Sequence, residues 1–217
     1  MHLHRPHYNI RSKDGLIIFT RTPRICRVKT RMASLFNHRQ CLYLHRQLFN
    51  DTCRRLNSRR YQTLIYSFGK RMLNSNKQVG HNLGQRMKHA MQKELKTHQR
   101  VVLIGCDTLV DRSVIEKAFS SLHKINQVVI GPANDGGYFL IGVHTRLPQE
   151  LFYNIPWGQP TVLKDTLSRL GQRGLEAQVL APEIDIDTAD DWQQLAKQKS
   201  LPSWASALKN SASHALI

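Results

Sequence analysis

The sequence predicts an α/β domain, with a mainly parallel but mixed sheet covered by helices on both faces. Short, flat apolar runs alternate along the chain with longer stretches whose apolar residues recur at helical spacing. The runs stay strand-sized, as in Leu16-Ile17-Ile18-Phe19 and Val101 to Ile104, far below the ~18–20 residues of a membrane span. With 217 residues and 41% apolar content, the chain has material for one compact core and flanking tails.

The elements follow in order. Leu16–Thr20 is a flat apolar strand bounded by Asp14-Gly15. Ala33 to Leu56 carries a noisy helical period through Leu35, Leu42, Leu44, Leu48, Phe49 and Leu56. Gln62–Phe68 reads as a second strand, and Leu83 to Thr97 as an amphipathic helix with its stripe at Leu83, Met87, Ala90, Met91 and Leu95. Val101–Gly105 is a third strand. Ser113–His123 is a helix with Ser113 as its expected cap and a Val114-Ala118-Leu122 stripe. Gln127–Gly131 and Tyr138–Val143 are strands about the turn Asn134-Asp135-Gly136-Gly137, which makes the sheet mixed. A helix at Thr161–Leu170, a strand at Ala177–Leu180 and a last helix from Thr188 complete the pattern. Three units result: a basic N-terminal extension over 1–14, the α/β domain over 15–198, and a loosely held tail over 199–217.

Charge is distributed unevenly. Of a net +17, residues 1–100 hold 22 Lys and Arg against Asp14, Asp51 and Glu94, whereas residues 101–217 hold 10 basic against 12 acidic residues. A field of that kind attracts polyanions: nucleic acid, an anionic membrane surface or a phosphorylated substrate. The scattered Arg54, Arg55, Arg59 and Arg60 read as surface solvation. Cys26, Cys41, Cys53 and Cys106 have no paired spacing, which argues against zinc ribbons and disulfide scaffolds and for a cytoplasmic protein with reduced thiols. The basic start lacks the apolar stretch of a secretory signal, and no G-x-S-x-G elbow or Cys–His spacing supports a covalent nucleophile.

Ligands of open α/β sheets bind beyond the carboxyl ends of the strands, and four segments stand there. Arg21 to Arg31 packs five cations into eleven residues leading towards a helix, either a phosphate cradle or a solvated basic loop. Asp107 follows the third strand, where an unpaired carboxylate is costly; it can hold Mg²⁺ against substrate phosphates or cap a helix, a task for which Ser113 is available. In Asn134-Asp135-Gly136-Gly137-Tyr138 the glycines let a ligand approach the backbone and Asp135 can bind a hydroxyl or a metal, or the segment is an ordinary Asp-Gly turn. Asp185 and Asp187 point the same way if extended and can share a cation, while Asp187 or Thr188 can cap the last helix, with Asp190 and Asp191 in its first turn. Together these segments describe a cationic phosphate cradle facing three acidic points.

With these residues in place, the chain resembles a little-characterised bacterial family with the glycosyltransferase-A, or nucleotide-diphospho-sugar transferase, fold, one branch of which is described as arsenosugar-biosynthesis glycosyltransferases. The resemblance runs from Leu16 to Trp192. It rests on Phe19, Arg21, Pro23 and Val28-Lys29-Thr30-Arg31, on Gln78, Gly80, Leu83-Gly84 and Arg86-Met87, and on Ile104-Gly105 with Asp107. It continues through Gly131-Pro132, Asp135-Gly136-Gly137-Tyr138, Leu140-Ile141-Gly142, Phe152 and Ile155-Pro156-Trp157 to Asp185, Asp187-Thr188 and Asp191. The resemblance implies a metal-dependent transferase acting on a nucleotide-sugar or nucleotide. Arg21, Lys29, Arg31 and Arg86 would lie on the phosphates, and Gly136, Gly137, Tyr138 and Trp157 on the substrate. Asp107 and Asp135 would be catalytic, and Asp107, Asp185 and Asp187 would hold Mg²⁺ or Mn²⁺. The acceptor is open. So is the choice between glycosyl transfer, nucleotidyl transfer by the same fold, and polyanion binding by a catalytically impaired member.

This sequence also departs from the family pattern. Where the family usually reads Pro-x-Pro-Gly, this chain has Pro23-Arg24-Ile25-Cys26, which puts a side chain where backbone would approach a phosphate. Leu109 stands in place of a proline, and Asn82 and Gln85 replace an Asp and a Glu.

Overall fold

The computed structural model describes residues 13–70, 72–124, 127–197 and 201–213; all but the last two residues of the basic extension fall outside them. Seven strands form one sheet: β1 (Asp14–Arg21), β2 (Gln62–Phe68), β3 (Asn76–Lys77), β4 (Arg100–Gly105), β5 (Val128–Pro132), β6 (Tyr138–His144) and β7 (Ala177–Val179). Their order is β3-β2-β1-β4-β6-β5-β7. Neighbours are parallel except at β6, which runs antiparallel to both β4 and β5. The Asp-Gly turn therefore makes a hairpin whose return strand inserts between β4 and β5. The architecture is the single mixed α/β domain that the alternation of periods predicts.

The α-helices are α1 (His38–Arg55), α2 (Leu83–Glu94), α3 (Arg112–Ser121), α4 (Val162–Gly171), α5 (Ala189–Ala196) and α6 (Ser203–Ser213). Period-two side chains on β1 serve both faces of the sheet. Leu16 and Ile18 pack with Val102, Ile104 and the Ile115, Ala118 and Phe119 stripe of α3. Ile17 and Phe19 pack oppositely with Met87, Ala90 and Met91 of α2, and with Phe152 and Leu170. Both faces of β4 are likewise buried, which is why a flat apolar run rather than an alternating one encodes it.

Three local findings correct the sequence reading. α3 begins at Arg112 with Asp111 at its N-cap, and no side-chain cap is made; Ser113 lies inside the helix, and Asp111 pairs instead with Arg55 at 3.3 Å. The two-residue strand β3 carries no periodic signal. The segment 199–217, expected to be a loose tail, contains α6, whose Trp204, Ala205 and Leu208 are buried with Leu44 and Leu48 of α1 and Trp192 of α5. The scattered arginines are surface ligatures: Arg54 and Arg55 hold the buried Asp51, and Arg60 meets Glu116 at 3.0 Å. No helix among the described residues is long and apolar enough to cross a membrane.

Candidate active site

A cleft of about 450 Å³ opens at the carboxyl ends of β1, β2 and β4, where an open α/β sheet places its ligand. Five cations (Arg21, Arg27, Lys29, Arg31 and Arg86) and three carboxylates (Asp107, Asp185 and Asp187) line it, with His45, Phe68, Gln78 and Tyr138. Eight of the residues singled out in the sequence thus converge on one cavity, across up to 166 positions of chain.

The basic loop after β1 does not run straight into a helix. Cys26 (φ 60°) and Lys29 (φ 50°) adopt left-handed backbone, a 3-10 turn follows at Thr30–Met32, and α1 starts only at His38. These reversals aim Lys29 inward. Its side chain is 2% exposed, and its Nζ lies 2.6 Å from Asp107 Oδ1 and 3.5 Å from Asp187 Oδ1; it also donates to the Ile186 carbonyl at 2.5 Å. Burial alone would lower the Lys29 ammonium, but Asp107 and Asp187 outweigh it and hold the pKa above its ordinary value. Burial likewise works to raise Asp107, and Lys29 reverses that, keeping the carboxyl below the usual range. Arg31 Nη1 reaches Asp187 Oδ2 at 3.1 Å from the solvent side.

Asp185 arrives by strand-like pairing, since Thr108 bridges to it and Ile186 N–H donates to the Asp107 carbonyl at 2.9 Å. The Thr108 hydroxyl donates to the Asp185 carboxylate. Burial, with Asp107 and Asp135 adding repulsion, pushes Asp185 up to about 6 against the favourable Thr108 hydrogen bond and Lys29 charge. Two carboxylates far apart in the chain but neighbours in the cleft therefore sit in opposite electrostatic states, Asp107 held down by Lys29 and Asp185 pushed up by burial.

At the other end of the cleft, Arg86 lies over the Phe68 ring, Cζ 4.1 Å from its centroid, and its buried Nε has no hydrogen-bond partner among the described residues. Burial and then the neighbouring Arg21 charge lower its pKa. An unsatisfied guanidinium beside a second cation is a costly arrangement unless a ligand anion completes it. Gln78 fixes this end by donating to the Thr20 and Tyr66 carbonyls at 2.8 and 3.0 Å, tying β1 to β2.

Asp135, Gly136, Gly137 and Trp157 lie outside the lining. Asp135 is exposed and its Oδ1 accepts the Gly137 N–H at 2.9 Å. Gly136 has φ 86°, and a Cβ there would stand 2.0 Å from the Pro160 carbonyl oxygen, so this turn is also glycine-dependent through packing. Trp157 packs half-buried against the core: it meets Tyr138 edge-on at 6.2 Å and Phe152 at 6.1 Å. Its indole covers Gly84, where a Cβ would stand 2.6 Å from the ring. Asn82 and Gln85 also lie outside the lining. Asn82 accepts the Gln85 N–H at 2.9 Å and Gln85 Oε1 accepts the His81 N–H at 2.9 Å, together capping α2.

His45 and Cys106 were not among the sequence candidates. His45 interrupts the buried Leu44–Leu48 face of α1, which is the one signal available for it. Its Nε2 lies 3.0 Å from the Arg21 carbonyl, to which it donates, and burial lowers its pKa. The ring is therefore neutral near pH 7, leaving the Nδ1 lone pair 4.0 Å from Asp107 Oδ1. Cys106 Sγ is buried 3.1 Å from the Thr20 hydroxyl. His45, Cys106 and Asp107 present ligand atoms within 4.8 Å of one another. With the Asp185 and Asp187 carboxylates beside them, this donor set fits a divalent cation, provided that Lys29 yields its place on Asp107.

A mixed sheet of this order, with a charged cleft at its carboxyl edge, defines an α/β protein with the nucleotide-diphospho-sugar transferase, or glycosyltransferase-A-like, fold. The chain belongs to the family described as an uncharacterized protein conserved in bacteria (DUF2064), whose model matches residues 40–159. A crystal structure from Desulfovibrio desulfuricans G20, provisionally named a nucleotide-diphospho-sugar transferase, superposes with a TM-score of 0.84 at 28% identity, covering 94% of this chain and 96% of that one. A cytidylyltransferase from Leptospira borgpetersenii serovar Hardjo-bovis shares the fold at TM-score 0.53 and 11% identity, over 95% and 96% of the two chains. So does a homologue of Mycobacterium tuberculosis Rv0371c from Mycobacterium sp. strain JC1, at TM-score 0.50 and 12% identity, over 93% and 99%. No curated protein matches the chain.

Proposed function

We propose that this protein is a transferase that binds a nucleotide-diphospho-sugar, with a divalent cation, and passes the sugar to an acceptor. The observation that carries this reading is the unmatched cationic end of the cleft: Arg86, with its unpartnered Nε, beside Arg21. An anion with two adjacent charges satisfies both guanidiniums. The lining holds two more cations than carboxylates, an excess that draws phosphates into the cleft. The similarity to the Desulfovibrio protein supports the same class.

In this reading Arg21 and Arg86 hold the diphosphate while Arg27 and Arg31 screen it from the mouth of the cleft. Asp107, Asp185 and Asp187 would hold Mg²⁺ or Mn²⁺, with His45 as a neutral neighbour. The cation would supply electrostatic stabilisation of the departing nucleoside diphosphate. Tyr138 closes the floor as a neutral phenol, its pKa raised by burial. Asp135, on the turn beside Asp185, would orient a donor or acceptor hydroxyl.

The test is a thermal-shift screen with UDP-, GDP-, ADP- and dTDP-sugars, CTP and GTP, each with and without Mn²⁺ or Mg²⁺, on wild type and Asp107→Asn. A ligand at ~100 times its Kd stabilises by about 2.7 kcal/mol, a shift of roughly 5–11 °C at this chain length. The expected result is a metal-dependent shift with a nucleotide-sugar that Asp107→Asn loses. A folded protein that no nucleotide or nucleotide-sugar stabilises would overturn the reading. Pyrophosphate released from a nucleoside triphosphate would identify nucleotidyl transfer instead.

A further inference from the structure

Lys29 cannot keep its present partners and also bind a phosphate. An ammonium has three protons, and three acceptors surround this one: Asp107 Oδ1, Asp187 Oδ1 and the Ile186 carbonyl. A divalent cation on Asp107 and Asp187 would meet the Lys29 charge at ion-pair distance. Without Lys29, the same two carboxylates would confront the diphosphate.

We propose that Lys29 is a displaceable internal cation that interlocks the site: it neutralises Asp107 and Asp187 in the free protein and exchanges them for the phosphates of an incoming ligand. Divalent cation and diphosphate then bind strongly together and weakly apart. This rests on the metal-assisted nucleotide-sugar reading above. Two features fit it. The two left-handed residues in the loop, Cys26 and Lys29, are conformations that non-glycine residues adopt at a cost, which favours a loop able to exchange one arrangement for another. Arg21, Arg27 and Arg31 also line the cleft with Lys29, so phosphates drawn to them arrive in the cavity that holds it. Linkage then demands reciprocity: the factor by which the ligand tightens the metal equals the factor by which the metal tightens the ligand.

The experiment measures Mn²⁺ binding to the full chain by electron paramagnetic resonance, with and without UDP, and UDP binding by calorimetry, with and without Mn²⁺. Wild type, Lys29→Gln and Lys29→Met are compared, with Asp107→Asn as the control for the site. Gln keeps an N–H donor for the carboxylates if Met compromises folding, and the reciprocity arm needs wild type alone. We expect weak Mn²⁺ binding to wild type that UDP tightens, and at least about tenfold tighter binding to the Lys29 variants without UDP. Wild type binding Mn²⁺ alone as tightly as the variants would overturn the interlock and leave the metal site standing. Variants that bind Mn²⁺ while wild type refuses it even with UDP would also overturn it, making Lys29 a permanent substitute for the metal. If no form binds Mn²⁺ under any condition, the metal-assisted reading itself fails.

Discussion

Arg86→Met separates a binding role for the unmatched guanidinium from a structural one, because the two roles give opposite signs. In the free protein Arg86 has a buried Nε without a partner, a penalty of about 1–3 kcal/mol, and it faces the Arg21 charge. Its stacking on Phe68 returns about 0.5–2 kcal/mol. Methionine keeps a flexible apolar stem over the ring and removes both the orphan donor and the repulsion. Stability measured by urea unfolding should therefore stay within about 1 kcal/mol of wild type, on the stabilised side. Binding should move the other way. Losing charge-assisted hydrogen bonds worth about 1.5–3 kcal/mol weakens the nucleotide-sugar found in the thermal screen by roughly 10- to 150-fold, measured by calorimetry. A variant destabilised by more than about 2 kcal/mol with unchanged ligand affinity would refute the reasoning and make Arg86 a packing residue.

Gly84→Ala places its Cβ against the rigid Trp157 indole and should cost about 1–3 kcal/mol by thermal melting, with Trp157→Phe restoring part of the loss in the double variant; an unchanged melting temperature would contradict the close approach. Because burial raises Asp185 to about 6 from 3.8, its ionisation opposes folding: the penalty is absent below the ordinary value, grows between the two and is complete above the higher one. Asp185→Asn should thus stabilise the protein at pH 7.5 and lose that advantage as the pH falls to 4.5, whereas an equal gain at both would exclude titration as its source. Cys26→Gly should stabilise by about 0.5–1 kcal/mol, because φ 60° strains any side chain with a Cβ. Trp204→Ala should cost about 3 kcal/mol by unfolding if α6 is the docked element that its burial indicates.

The parts legible in the sequence are those whose cause is local or periodic. β1 and β4 announce themselves because both of their faces are buried, and α2 does so because its stripe meets one face of the sheet. The acidic points were visible because a carboxylate at the tip of a buried strand demands a partner. The identity of that partner was not. Lys29 reaches Asp107 only because the loop reverses at two left-handed residues, a choice that nothing in Arg21 to Arg31 announces, so a residue read as a phosphate ligand is found as a counter-ion. His45 was hidden for the opposite reason: a polar residue within a helix's apolar face is usually a satisfied core group, and only the carbonyl of Arg21 turns its free nitrogen towards the cleft. Trp157 and Gly84 were read as separate motif residues, yet they form one contact, which a linear pattern cannot reveal.

The departures from the family pattern take a different meaning once their positions are known. Cys26 stands where the family has glycine, and the backbone there keeps the positive φ that glycine would favour, so the loop's shape survives the substitution at the cost of some strain. Cys26 does not line the cleft, so its side chain does not fill the space in which a phosphate would approach. Asn82 and Gln85, in place of two carboxylates, cap α2 through hydrogen bonds that amides make as well as acids, and Leu109 packs against the cluster formed by α1, α5 and α6. Each departure thus falls on a residue that shapes backbone, helix end or packing. The charged groups that meet in the cleft belong instead to the part of the pattern this chain retains: Arg21, Lys29, Arg31, Arg86, Asp107, Asp185 and Asp187. Under the proposed reading, departures confined to the scaffold around these charges leave in place the groups that would bind the ligand.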